Sequence, residues 1–296
     1  MTTIKNRSEL LFLYDVKYAN PNGDPLNANR PRMDEETRHC LVTDVRLKRT
    51  VRDFLFENGF NGTSDLGDIF IREVDGKPVT GQKRSEAYKD KDDFLEKFID
   101  GRLFGAVSAP KGKDKNKVFH LTGPVQFGIG KSLHPVRENF IKGTGAFTTK
   151  EKAEQRTFRE EYNITYGIIG FHGVINENAA IETQLKEDDV NWLLRGMWKG
   201  TKNLLTRSKK GHMPRLLIKI DYQDGFFIGD LLKRIKLNSN GKDPELFEDI
   251  NDFNVDVSEL NKALEKHVDK ILNVAVLKDE RISLTEDIYN ESKLIL

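Results

Sequence analysis

Residues 9–18, ELLFLYDVKY, open as an unbroken apolar run and close by alternating. A strand with apolar side chains on both faces belongs inside a sheet, flanked on each side. The chain then enters ANPNGDPLNANRPRMDEET, where three Pro, one Gly and four Asn forbid regular structure over nearly twenty residues. Loops of that length inside compact domains are mostly functional. A central strand feeding directly into a long irregular loop is therefore the feature around which the rest must fold.

The segments that follow predict a small set of elements. A helix is expected at 43–58, with Thr43 as N-cap, Asp44 in the first turn, Leu47, Val51, Phe54 and Leu55 on its buried face, and Gly59 as the stop. A short strand at 69–72 and a helix at 92–99 read as an insertion over 60–117. Strands at 118–130 and 164–175 carry glycines where bulges or close backbone approach are expected. Val190, Leu193, Leu194, Met197, Leu204 and Leu205 follow helical spacing with one slip at Thr201, and the helix is expected to end at RSKKG, before Gly211. A strand at 216–222 and a helix at 258–274 complete the set. The strong elements run strand, helix, strand, strand, helix, strand. That order predicts an α+β fold with a modified ferredoxin-like, RNA-recognition-motif core, an antiparallel sheet with helices on one face, and large loop insertions. The expected organisation is one decorated domain over 1–296, with a projection at 131–163 and a helical C-terminal segment at 223–296.

Charge does not announce a partner. Lys and Arg total 48 against 47 Asp and Glu, so any nucleic-acid binding has to come from uneven placement of charge. The single cysteine, Cys40, excludes an internal disulfide, and the first residues lack a secretory signal, which predicts a cytoplasmic protein. No apolar run approaches the roughly 18 residues of a membrane span. His39 and Cys40 have no second His/Cys pair at metal-finger spacing, and phosphate-loop, nucleophile-elbow and zincin motifs are absent, so neither cofactor nor enzymatic activity is expected. Asp24, Asp34, Glu35 and Glu36 in the long loop leave a carboxylate-based nuclease conceivable, although they also suit turns and helix starts.

Three cation clusters stand out. Arg30, Arg32, Arg38, Arg46, Lys48, Arg49 and Arg52 fall within the first loop and helix. Lys48 and Arg52 share one helix face, Arg46 and Arg49 another, so their side chains suit successive phosphates. The alternative is a solvated face paired with Asp44 and Asp53. Arg207, Lys209, Lys210, His212 and Arg215 surround Gly211, where phosphate contact competes with simple helix C-capping. The excursion 131–158 mixes His134, Arg137, Lys142 and Phe147, which suits either a stacking projection or a plain surface hairpin.

The motifs NPNGDP, RPRMD and VTDVRLKR occur in order within 20–55, with GRLFGA at 101–106, LTGPVQF at 121–127 and RSKKGHMPRLLIKI at 207–220. Together they resemble the backbone subunit of CRISPR type I Cascade complexes, the Cas seven family, in its Csh and Csd branch and nearest the type I-B form. The resemblance implies a modified RNA-recognition fold with a thumb, here 131–163. It also implies copies joined head to tail along a CRISPR guide RNA, target DNA paired to that guide, and neighbours that include a large subunit, a small subunit and the subunit that binds the guide 5′ handle. Arg102 and Ser208, within these motifs, join the candidate RNA contacts. Related type III backbone subunits cut bound RNA with an acid in the first loop, so a metal-dependent ribonuclease using Asp34 or Asp24 is the competing expectation.

Overall fold

The computed structural model describes residues 3–74, 76–110, 115–148, 156–239 and 241–296, and the side chains of these residues apart from 144–159. Strand β1 (Ser8–Ala19) is the middle strand of the main sheet. Its alternation decides the architecture: Leu10, Phe12, Tyr14 and Val16 enter one core while Leu11 and Leu13 enter another, so the sheet is buried on both faces. Each large apolar side chain fully buried in this way contributes about 1.5–3 kcal/mol.

Helix α1 (Asp44–Glu57) starts as its sequence dictates, with the Thr43 hydroxyl accepting from the Arg46 backbone N–H at 3.3 Å. Leu47, Val51 and Leu55 pack into the first core. The chain then leaves the sheet for a satellite with its own aromatic core of Tyr88, Phe94, Leu95, Phe98 and Leu121. Helix α2 (Lys91–Lys97) forms where a helix was expected at 92–99, and after Phe98 turns extended a further helix not expected, α3 (Ile99–Phe104), follows. The expected strand at 69–72 does not form: the backbone N–H groups of Phe70 and Ile71 donate to the Asp100 carboxylate instead of to a neighbouring strand.

The strand expected over 118–130 is broken at Gly123 and Pro124. Strand β2 (Gly105–Ser108) pairs with β3 (Phe119–Thr122) outside the main sheet, while β4 (Val125–Phe127) and β5 (Gly130–Ser132) join it. Gly123 is required at the break, since a Cβ there would sit 2.1 Å from the Phe104 carbonyl carbon. Strand β6 (Glu138–Thr148) forms a long antiparallel ribbon with the start of β7 (Arg156–Ile175), and the rest of β7 runs along β1 from Ile164 opposite Ala19 to Ile175 opposite Ser8.

Helix α4 (Glu187–Arg195) continues as a π turn over Gly196–Gly200, which adds a residue per turn and accounts for the slip in apolar spacing. The helix ends soon after, leaving Leu205 76% exposed rather than buried. Strand β8 (His212–Tyr222) pairs with the other edge of β1, with a bulge where Pro214, which has no N–H to give, faces Tyr14. Strands β8, β1 and β7 thus lie side by side, with β4 and β5 on the far edge of β7, all antiparallel.

The C-terminal part differs from the helical segment expected. Helix α5 (Ser258–Lys266) is short, and 271–274, read as its last turn, belong to strand β9 (Ile271–Lys278), followed by β10 (Glu291–Lys293). Val274 and Val276 are buried and Asn273 is exposed, a pattern that suits the sheet edge beside β8. Helices were expected on one face only. Leu260 and Leu264 of α5 instead pack with Leu11, Leu13 and Ile218 on the face opposite α1 and α4.

Candidate nucleic-acid interface

The loop after β1 is fixed to the turn before β8. The Asn20 backbone N–H donates to the Ser208 carbonyl at 2.8 Å, and the Lys17 N–H to the Gly211 carbonyl at 3.3 Å. Gly211 has φ +108°, and a Cβ there would lie 2.6 Å from the Lys17 carbonyl oxygen, so only glycine allows the approach. This docking carries the half-buried Lys209 ammonium onto the carbonyl oxygens of Asn20 and Pro21. Burial and the neighbouring Arg46 guanidinium pull its pKa down to about 7. Burial also lowers the pKa of Arg46, which among the described residues makes no ion pair. His212 is buried beneath them, stacked on Tyr14 at 5.7 Å, and burial followed by the Lys209 charge holds its pKa down at about 3. Its Nδ1 meets the Lys209 carbonyl, and Nε2 is buried without a partner. Two crowded cations with no carboxylate between them form an electrostatically incomplete site that an anion would complete.

Beside it, Arg30, Arg32 and Arg38 line a groove of about 600 Å³ at the foot of the β6–β7 ribbon. Here the charge is balanced. Arg30 donates to both Glu138 oxygens at 2.9 and 2.6 Å and lies over the Tyr162 ring, Arg32 faces Asp24 at 3.4 Å, and Arg38 reaches Glu245 at 2.9 Å. Lys210 is exposed, and among the described residues it has no ion-pair partner. Arg207 is paired with Glu161 and Arg137 with Glu248. Ser208 takes part through its backbone carbonyl.

Other expected contacts are not part of this surface. Arg52 is buried against Asp100 at 2.8 Å, and Arg102 donates to both Asp189 oxygens at 2.8 and 2.7 Å and to the Leu95 and Glu96 carbonyls. Arg215, the extra residue of the β8 bulge, is buried between Asp15 and Asp279. His134 is buried among Tyr166, Phe247 and Phe253, with its pKa lowered to about 4 by burial. These four tie elements together, and for the three arginines removing one partner of the buried pair leaves an uncompensated charge. Lys48 and Arg49 sit in helical pairs with Asp44 at 3.0 Å and Asp53 at 2.7 Å, the simpler of the two readings their spacing allowed. Of Arg46, Arg49, Arg52 and Lys209, then, Arg46 and Lys209 meet. Phe147 lies outside the described side chains.

Among the loop acids, Asp34 has its carboxyl held below the usual range first by the Thr37 hydroxyl and the Thr37 backbone N–H at 3.1 Å, then by Lys131 at 3.5 Å and the Glu36 backbone N–H at 3.2 Å. Among the described residues no group of three or more His, Cys, Asp or Glu side chains is placed to hold a metal ion, and no helix is long and apolar enough to cross a membrane. Cys40 is buried, its thiol pushed up to about 12 by burial. Sequence reasoning missed Tyr14 and the Asn20 carbonyl, neither of which carries a charge to draw attention.

The family model for CRISPR-associated protein Cas7 matches residues 6–258. A CRISPR-associated protein Cas7 of Haloferax volcanii is 35% identical over 323 aligned positions, covering 99% of this chain and 92% of that protein. In structure, a chain of a "CRISPR RNA-guided surveillance complex, pre-nicking" superposes with TM-score 0.58 at 13% identity, covering 98% of this chain and 96% of that one. A chain of a second CRISPR RNA-guided surveillance complex gives TM-score 0.54 at 13% identity over 98% and 95%. Those identities speak for a shared fold, while the match along the sequence settles kinship: the chain belongs to the CRISPR-associated Cas7 family.

Proposed function

We propose that this chain is a non-catalytic backbone subunit of a type I CRISPR interference complex, holding guide RNA by its phosphates while copies of the chain polymerise along the spacer and present it to target DNA. The observation that carries this reading is the meeting of Arg46 and Lys209, two partly buried cations neither of which is held in an ion pair among the described residues, at the junction of the first loop, α1 and the 206–211 turn. Phosphate contacts fix position without reading sequence, which suits guides whose spacers differ. The strand order β8, β1, β7, β4 supports a modified RNA-recognition-motif core, and the β6–β7 ribbon is the thumb in this reading. The motifs of the first loop support the Csh and Csd branch, nearest type I-B. Partners are then further copies of the chain, the large and small subunits and the subunit at the guide 5′ handle, in the cytoplasm.

The test is binding of the full chain to single-stranded RNAs of equal length and unrelated sequence across a salt series. Affinity is expected to vary little with sequence and to fall with salt by a log–log slope of about −0.7 per phosphate neutralised. Exchanging Arg46 and Lys209 for Gln should flatten that slope by about one to two. An unchanged slope would remove this pair from the interface.

A further inference from the structure

After β8 the chain makes an excursion. Lys236–Asn238 pairs antiparallel with Asn254–Asp256, and residues 241–253, GKDPELFEDINDF, run between the two. Phe247, Ile250 and Phe253 are buried in the second core, and His134 packs against the Phe247 ring at 5.0 Å. Between and around these anchors stand Asp243, Glu245, Glu248, Asp249 and Asp252. Three of the acids reach cations at the rim where the candidate RNA contacts gather. Glu245 pairs with Arg38 of the first loop at 2.9 Å, Glu248 with Arg137 at the foot of the β6–β7 ribbon at 2.9 Å, and Asp249 with Lys17 near the end of β1 at 3.5 Å.

These pairs are poor candidates for tethers. Exposed ion pairs add little to stability, and three buried apolar side chains already fix the excursion to the sheet. Arg52, Arg102 and Arg215 are enclosed together with their acids, whereas each side chain of the Arg38–Glu245 and Arg137–Glu248 pairs is at least 36% exposed, within reach of a ligand from solvent. The two arginines are neighbours, since the Val136 backbone N–H donates to the Arg38 carbonyl at 2.9 Å. Glu248 satisfies Arg137 only in part: it accepts from Nη2, and the buried Nε has no hydrogen-bond partner. A guanidinium takes phosphate in the same two-point geometry as carboxylate. Glu245 and Glu248 therefore occupy the positions that phosphate oxygens of a bound strand would take, and both side chains can turn into solvent while Phe247 stays seated between them.

We propose that residues 241–253 form an autoinhibitory strap: in the free chain Glu245 and Glu248 occupy Arg38 and Arg137, and RNA phosphates must displace them, which disfavours the binding of isolated strands. The strap rests on the guide-binding reading above and adds the regulation of that same surface. The test is a titration of the full chain with single-stranded RNA across a salt series, comparing the parent with a variant carrying Glu245→Gln and Glu248→Gln, which keep the shape of both side chains and remove their charge. Affinity should rise about fivefold and the log–log salt slope should steepen by about one to two, as two released cations each neutralise a phosphate. The thermal midpoint should stay as in the parent. In a chain already carrying Arg38→Gln and Arg137→Gln, the same exchange should gain about twofold or less, the effect of net charge alone. Parent-like affinity in the acid variant, or a gain of full size without the two arginines, overturns the proposal. The chain with Arg46 and Lys209 exchanged for Gln is read alongside. If it loses affinity while the acid variant matches the parent, guide binding stands and the strap falls; if neither moves, both fall.

Discussion

Lys209 is the residue whose chemistry is most informative. Buried beside Arg46, it loses its proton near pH 7 in the folded chain against 10.5 for an ordinary lysine. With the folded pKa depressed, the unfolded chain holds the extra proton between those values, so this group adds stability as pH rises from about 7 towards 10.5. Binding of an anion runs the other way, because it needs the cation. RNA affinity at constant salt should therefore fall as pH is raised through about 7, and Lys209→Arg, charged throughout, should remove that dependence. Fluorescence anisotropy at a series of pH values checks this, and an identical pH profile in the Arg variant would mean that another group titrates. Arg46, Cys40 and His212 are the groups facing Lys209, and burial puts the thiol near 12 and the imidazole near 3, outside the range tested. That Lys209 differs from Arg102 or Arg215 was not legible in the sequence. All are cations in family-like motifs, and only the fold shows that Asp189 and Asp15 await two of them while none awaits the third.

At the scale of elements, what was legible followed from local rules and what was not depended on partners. β1, α1 and the start of α4 obey periodicity and capping, and they stand where those rules place them. Residues 258–274 carry apolar side chains at spacings that fit a helix, yet the free edge of β8 captures the end of that stretch, from Ile271, as a strand. The π turn is a further case, invisible as such but written in the slip at Thr201. Its glycines let α4 approach α1 closely: a Cβ on Gly200 would meet the Phe54 Cβ at 3.0 Å and the Thr50 carbonyl oxygen at 3.1 Å. Gly200→Val should therefore destabilise the chain by about 1–3 kcal/mol, seen as a lower denaturant midpoint with unchanged slope. A midpoint equal to the parent's would show that the two helices can separate without loss.

For the whole molecule, the decisive fact is that neither face of the sheet is free. Helices α1 and α4 cover one, and residues from Leu231 to Ile288 cover the other, so no strand of nucleic acid can lie across β1 and β7 as on an open sheet. The candidate contacts gather instead at one end of the strands, where the first loop, the β6–β7 ribbon and the 206–211 turn meet. A rim of this kind offers few phosphate contacts per chain, since Arg52, Arg102, Arg215 and His134 are buried in the scaffold. One copy should hold RNA weakly, and useful affinity then requires adjacent copies whose contacts add along a shared strand. The stoichiometry on single-stranded RNA should accordingly rise in proportion to RNA length, with affinity per copy increasing once two fit side by side. Mass photometry across a series of RNA lengths measures this directly. A constant single copy on every length, at constant affinity, would contradict a backbone role while leaving the phosphate site itself untouched.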